Sequence, residues 1–487
     1  MIALLLLSTA ADAAAYYFLD TGTRGLARAG AFVASADDLS AQYYNPAALV
    51  RLRKPQAYVN FSGVNQQVDF TRKDYDASGG LETEYETASN QGGLMPIPAF
   101  GFSSRFGLPD TVFAVGLYPP FAPTFAYEAD GPQRYTLIES LLLQTNFGPS
   151  IGHRINDKVS VGLGGHWVWT SATQSLSLDT CDPNAPDVVL DDCAANPEKY
   201  DIDISLEMTD PIKFAFSGGL LVEPTDWLAI GASFMSPVNV SGSGFITADF
   251  GEEHSLVTSG GLAENSYTDD DVTVLLTLPW VFRLGTAFYP TEKLNFEVAG
   301  VYHTWSQTKD ITVTDVDLDL TLGETGQTFA PTDENGDPQE AISVTDDIVL
   351  PANFSNSFSL RLGGDYRVHD NARVRAGVAY ENSAVPASTQ SVTNADGNKF
   401  IYGLGGTVRI KQRMSLDLGF SQTFFQSREI TNSDVRKIVI PVFPLTNLSD
   451  PDNLGVQEGD VVGNGSFAST AMFLSGGLTY RFGPLVD

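Results

Sequence analysis

The sequence predicts an all-β chain: a transmembrane antiparallel β-barrel of about fourteen strands with a small N-terminal helical plug inside it. Three observations predict this. Hydrophobic residues make up 43% of the 487 residues, yet mean hydropathy is near zero, so apolar side chains are interleaved with polar ones as strands require. The connections between the interleaved segments alternate between short turns and long loops. The last segment, SGGLTYRF at 475–482, alternates and ends on an aromatic residue.

The opening MIALLLLSTAADAAA holds an apolar run of about seven residues followed by small residues cuttable near Ala13 or Ala15, the pattern of an export leader at 1–15. It lacks a basic start, and it is too short to cross a bilayer. No later stretch approaches the about 18 consecutive apolar residues of a membrane helix. Residues 16–56 show no strand pattern. In this stretch Asp37 and Asp38 are placed to cap a short helix LSAQYY, and Asn45 stands as an N-cap with Pro46 at the first helical position. A wide barrel cannot fill its lumen with wall side chains alone, so this Gly- and Ala-rich piece belongs inside, with Gly162, Gly164, Gly219, Gly363, Gly377, Gly403 and Gly405 leaving it room.

The barrel occupies 57–487. Strands are expected near 57–70, 98–106, 111–118, 141–155, 158–178, 202–223, 226–248, 272–289, 293–313, 354–368, 372–384, 400–411, 413–430 and 468–482. Short links such as LPD, ND, PT, PTE and HDN alternate with Asp-, Asn-, Gly- and Pro-rich loops such as TNLSDPDNLGVQEGDVVGNG. Turns at one end and loops at the other are what an outer-membrane barrel shows, with the turns in the periplasm. Within 278–289, Leu278, Trp280, Phe282, Leu284 and Phe288 share one parity, while Val281, Arg283, Gly285, Ala287 and Tyr289 share the other. Large apolar groups face lipid and small or charged ones face the lumen. A soluble sandwich also alternates, but its connections are not sorted by length.

A net charge of −31 excludes nucleic acid and anionic surfaces as partners, because both would be repelled. Cys181 and Cys193, alone in an exported chain, are expected to close a short disulfide loop. Acidic runs at 315–320 and 333–337 fall short of a calcium loop and read as solvated surface. No metal and no cofactor are expected. An enzyme is disfavoured, since His166 and His303 face the lumen, the wrong side for a membrane lipase.

GLARAGAFVASADDLSAQYYNPAAL, PPFAPTFAYEADGPQRY and TNFGPSIGHRINDKVSVGLG together resemble the long-chain fatty acid outer-membrane transporter family, FadL-like in type. The resemblance covers nearly the whole chain and implies a plugged fourteen-stranded barrel in the outer membrane of a Gram-negative bacterium. It implies passive uptake of hydrophobic compounds, fatty acids or aromatic hydrocarbons, with a lumen site, a movable hatch and a lateral opening in the wall. Asn45, Pro46 and Ala47 match the hatch motif. Lys213, Arg283 and Arg361, all on the inward parity, are candidate partners for a carboxylate, against the alternative that they form lumen salt bridges. Phe121, Phe125 and Tyr127 are candidate capture residues in an external segment. The expected partners are hydrophobic small molecules, outer-membrane lipid and lipopolysaccharide, and the assembly machinery that reads the last strand; the chain is expected to be a monomer. A general diffusion porin and a purely structural barrel are the rival functions.

Overall fold

The computed structural model describes residues 20–76, 78–121, 124–329, 339–445 and 454–483. The expected leader and the acidic run at 333–337 therefore lie outside the described residues. The wall begins with β1 (Gln56–Tyr75), β2 (Met95–Ser104), β3 (Thr111–Phe121), β4 (Glu139–Asn156) and β5 (Val159–Cys181). It continues through β6 (Asp201–Thr225), β7 (Leu228–Met235), β8 (Val281–Phe288), β9 (Leu294–His303) and β10 (Ser357–His369). The circuit is completed by β11 (Ala372–Glu381), β12 (Lys399–Lys411), β13 (Met414–Phe425) and β14 (Gly465–Arg481). Each pairs antiparallel with the strand before it. β14 returns to β1 in unbroken register from Gln56↔Arg481 to Arg72↔Gly465. This closure leaves no free edge along the seam, as hydrocarbon demands of a spanning sheet.

The alternation sorts the two faces. Leu284, Phe358 and Leu360 are exposed on the outside, whereas Arg283 and Arg361 are buried within. β5 and β6 run 23 and 25 residues, which at about 3.3 Å per residue and a tilt near 40° reach about 60 Å, well beyond an apolar band of about 25 Å. Their upper halves, with strands Val238–Asp249, Ser266–Leu278, Asp310–Thr314 and Ile348–Pro351, build a roof outside the membrane. The roof's buried apolar residues, including Phe250, Leu256, Val313, Leu320 and Ile342, belong to one cluster that runs down to Phe32, Tyr43 and Leu49 of the N-terminal segment.

The expected continuous strands at 226–248, 272–289 and 293–313 are each broken. The seventh wall strand breaks at 236–237, its neighbour at 279–280, and the ninth at 304–309. Pro237 and Pro279 cannot donate to a ladder, which makes the first two breaks intelligible. The second break also moves the parity: Leu278, expected to face lipid, is buried along with Val281. Likewise 413–430 divides into β13 and a short strand, Arg428–Ile430.

The N-terminal segment from Asp20 lies in the lumen. Its elements are α1 (Thr23–Leu26), α2 (Ala41–Tyr44) and a 3-10 turn, Pro46–Arg51, and nearly every side chain from Gly22 to Val50 is buried. Wall glycines make the seat. A methyl group at Gly162, Gly219, Gly377 or Gly403 would overlap Ala47, Asn45, Arg28 or Leu26 of the segment. Gly164 does not share this role, since it faces Ser217, His166 and Ser150.

Candidate functional site

The plug segment is held by charge and by backbone bonds. Arg24 binds Asp417 of β13 at 3.0 Å and its own neighbour Asp37 at 2.8 Å. Arg28 binds Asp365 of β10 at 3.0 Å, and Asp20 receives Arg361 of the same strand at 2.8 Å. Fully buried Glu297 of β9 accepts the backbone N–H groups of Val33, Ala34 and Ser35 at 2.7, 2.9 and 2.9 Å, and the Ser35 hydroxyl as well. One carboxylate thus satisfies three consecutive peptide donors, a strong arrangement away from water. At the seam, Thr23 Oγ1 shares a hydrogen bond with Ser475 of β14 at 2.8 Å, and Asn60 of β1 donates to Thr23 at 2.6 Å and to Ser475 at 2.9 Å.

Asn45 caps the 3-10 turn as its sequence context implies: its side chain accepts the Ala47 N–H at 3.1 Å, with Pro46 first in the turn. Its amide also donates to the Val33 and Leu220 carbonyls, both at 3.1 Å, so it ties two parts of the segment to β6. The acid pair divides. Asp38 accepts the Ser40 N–H at 2.9 Å just ahead of α2, whereas Asp37 is drawn to Arg24 instead of capping a helix.

Above the plug the lumen is polar, then apolar. Tyr43 stacks edge-on against Tyr118 of β3, their ring centres 5.5 Å apart. Around Tyr118 stand Gln144, Asn146, His166 and Thr170, all buried. The His166 ring bonds Ser217 at 2.9 Å, and Gln144 Oε1, Thr170 Oγ1 and His166 Nδ1 have no partner among the described residues. Two residues higher on the same strands, Leu142 and Ala172 begin an apolar cavity lined also by Leu176, Met208, Ile246 and Leu276, with no charged side chain among its lining. A second space shares Leu176, Ile311, Leu350 and Ile438 with it and opens among Tyr135, Lys437 and Glu458.

Lower down the wall is open at one place. β2 pairs with β3 only from Phe100↔Leu117 to Ser104↔Phe113, although it pairs with β1 as far as Met95. Pro96 and Pro98 on one side, and Pro119 and Pro120 on the other, remove the donors a longer ladder would use. The interval is closed above by the Gln91 N–H on the Ala126 carbonyl and the Ala126 N–H on the Asn90 side chain. Behind this window lies a small pocket lined by Asp20, Gly22 and Leu26 of the plug together with Ile97, Ala99 and Pro119.

The other sequence-derived candidates take varied places. Arg361, buried, joins Asp20 to Glu381, and Arg283, also buried, lies 4.4 Å over the Tyr43 ring. Lys213 is half-buried beside Asp210 at 3.5 Å, higher in the wall. None of the three lines the apolar cavity. Phe125 and Tyr127 are not exposed in a loop: they are buried with Phe70, Leu137, Val392 and Phe467 in a separate cluster, because the roof has enough mass to enclose them. The side chain of Phe121 lies outside the described residues. Cys181 and Cys193 are joined in a disulfide, and among the described residues no cluster of metal-ligating side chains occurs. Glu297, Asp20 and the window prolines carry roles that sequence reasoning did not assign; prolines inside alternating segments were the available signal for the window.

The chain is similar along most of its length to outer-membrane proteins of known type. It is 21% identical over 465 residues to outer membrane protein P1 of Haemophilus influenzae, covering 90% of this chain and 91% of that protein. It is 22% identical over 448 residues to the long-chain fatty acid transport protein of Escherichia coli O6:H1, covering 89% and 92%. Among solved structures, a FadL homologue of Pseudomonas aeruginosa superimposes with a TM-score of 0.71 at 18% identity, over 96% of this chain and 100% of the other. The toluene transporter TodX of Pseudomonas putida does so with a TM-score of 0.61 at 13% identity, over 96% and 100%. A family model described as outer membrane protein transport protein (OMPP1/FadL/TodX) matches residues 4–452. With its closed barrel and a family match over residues 4–452, the chain belongs to this family of outer-membrane transport proteins.

Proposed function

We propose that this protein carries uncharged hydrophobic small molecules passively across the outer membrane, catching them in the upper apolar cavity and releasing them sideways between β2 and β3. The observation that carries this reading is the lining of that cavity, aliphatic throughout most of its surface and free of charged side chains. Burying a carboxylate there without a partner would cost several kcal/mol, so a neutral cargo is favoured. The lumen arginines fit the same reading, since Arg361 is engaged by Asp20 and Glu381. Cargo then passes the polar belt at Tyr118 and His166 and reaches the space behind the window, whose inner wall is the plug itself. Movement of the plug about the Asn45-Pro46-Ala47 turn gates that passage. In this scheme 1–15 is the leader, 16–56 the hatch and 57–487 the barrel. The barrel works as a monomer in lipid and lipopolysaccharide, inserted by the machinery that reads its last strand. A long-chain fatty acid is the second reading, because Arg283 and Arg361 bring positive charge to the lumen floor.

Calorimetric titration of the purified protein in detergent, with naphthalene and with palmitate, tests this. Naphthalene should bind, and Met208→Asp or Leu276→Asp should weaken it about tenfold or more, about 1.4 kcal/mol. Palmitate binding alone, indifferent to both substitutions, would overturn the neutral cargo, and a large steady conductance in planar bilayers would overturn the plugged transporter in favour of a porin.

A further inference from the structure

The wall has a second interval without a ladder. β6 pairs with β7 from Thr225↔Leu228 up to Ser217↔Met235, and with the upper continuation of the same strand only from Thr209↔Ser243 onward. From Val222↔Ile230 upward both stretches keep one register, in which Lys213 would face Asn239, so the strands have parted there without slipping. Between them, residues 211–215 and 237–241 have no ladder pair with each other. Proline stands on both sides, at 211 and 237, where a ladder needs donors.

The two ends of the interval are finished by side chains. Below, the Ser236 hydroxyl accepts the Phe216 N–H at 3.0 Å in place of a carbonyl. Above, the Asp210 carboxylate accepts the Ser241 N–H at 2.7 Å and also holds Lys213. The Trp167 indole donates to the Pro211 carbonyl at 2.6 Å. A parted strand pair whose borders are each satisfied by a dedicated group is an opening with a frame, since backbone at membrane level must find partners of some kind.

The interval lies next to strand positions that line the apolar cavity. Outside it, Ile212 and Phe214 are among the most exposed apolar residues of the wall, at 63% and 75%. Inside it, Met208 lies two residues above Asp210 on β6, and Leu276 pairs with Val240 across the neighbouring ladder; both line the cavity. About ten residues of tilted strand span an apolar band of about 25 Å, which puts 211–215 at the outer boundary of the acyl chains when Trp227, at the turn below, marks the inner one.

We propose that this opening is a doorway from the outer leaflet into the upper cavity, taken by uncharged apolar molecules, alkanes or arenes, already dissolved among the acyl chains. The proposal rests on the transport reading and extends it, since it makes the membrane as well as the medium a source of cargo. A molecule moving from acyl chains to an aliphatic cavity crosses no water, whereas the upper route passes the polar rim at Tyr135, Lys437 and Glu458.

The test uses the full-length protein in lipid vesicles. Leu276→Cys places a thiol on the cavity wall, and the native cysteines are tied in a disulfide. N-dodecylmaleimide, dissolved in the bilayer, should label position 276, as read by mass spectrometry. Adding Lys213→Cys and Asn239→Cys and oxidising them across the doorway should slow that labelling at least tenfold, while labelling by a water-soluble maleimide from outside stays within twofold. Asn239→Trp, which narrows the same opening without a new bond, should slow it in the same direction, and heat-shifted gel mobility verifies that each variant is folded. Unchanged lipid-phase labelling in the folded variants, or none in Leu276→Cys, overturns the doorway. If naphthalene still binds the native protein in that case, the transport reading stands and only the doorway falls; if it does not, the cavity reading has failed first.

Discussion

Replacing Glu297 with alanine should unlatch the middle of the plug. Its carboxylate, fully buried, accepts three successive backbone N–H groups and the Ser35 hydroxyl. A hydrogen bond to a charged acceptor is worth about 1.5–3 kcal/mol, and such bonds do not add in full because water reaches some of the freed donors. Glu297→Ala should therefore weaken the seating of residues 33–35 by about 3–5 kcal/mol, while Arg24 and Asp20 keep their partners and Arg28 keeps Asp365 but loses its 4.0 Å contact with Glu297. At about 1.4 kcal/mol per factor of ten, the displaced population rises by a factor of roughly 140 to 3,700. Glu297→Gln keeps one acceptor oxygen and should lose only about 1–2 kcal/mol. Single-channel recording in planar bilayers reads this directly: rare brief openings in the native protein, longer and more frequent ones in Glu297→Gln, and sustained conductance in Glu297→Ala. A folded Glu297→Ala barrel as silent as the native one would refute the view that this carboxylate latches the plug.

Other perturbations act elsewhere. Gly377→Leu, whose side chain would occupy the space of the Arg28 backbone, should expel the plug and raise conductance without breaking the wall, and limited proteolysis near Arg24 should become faster. In the roof, burial holds His254 down at about 4, where its ring sits beside the Thr180 hydroxyl. Its folded value lies below the ordinary 6.5, so the unfolded roof takes up a proton first: stability is complete above pH 6.5 and falls as pH drops toward 4, by at most about 3 kcal/mol. Hydrogen exchange at 250–262 should accelerate over that window, and His254→Gln should flatten the dependence. Cys193→Ser opens a loop of about a dozen residues and should loosen Tyr200 and its surroundings by about 2–3 kcal/mol, seen as faster exchange there and none in β8 to β12.

The barrel was legible because its evidence is repetitive. Alternation over Phe358, Leu360 and Leu362 against Arg361 and Gly363 gives the same faces that the structure shows, and turn length alone sorts the two ends. The lumen seat of the N-terminal piece was legible in Asn45 and Pro46 and in the inward glycines. The breaks at 236–237 and 279–280 were not, because alternation resumes on the far side of each and a run of letters does not reveal a skipped beat. Leu278 is the visible cost of that error. Phe125 and Tyr127 were placed in an external segment as capture residues, whereas strands as long as β5 and β6 carry a roof that buries them. The inward parity of Arg361 could be counted; its bond to Asp20, more than three hundred positions away, could not.

The small knot of Thr23, Asn60 and Ser475 has a bearing on how the molecule comes apart. Stopper, first stave and last stave share one set of hydrogen bonds, so unzipping the cylinder at its join also loosens the cork at its forward end. Mechanical failure at the rim and leakage through the bore are, at this corner, a single event.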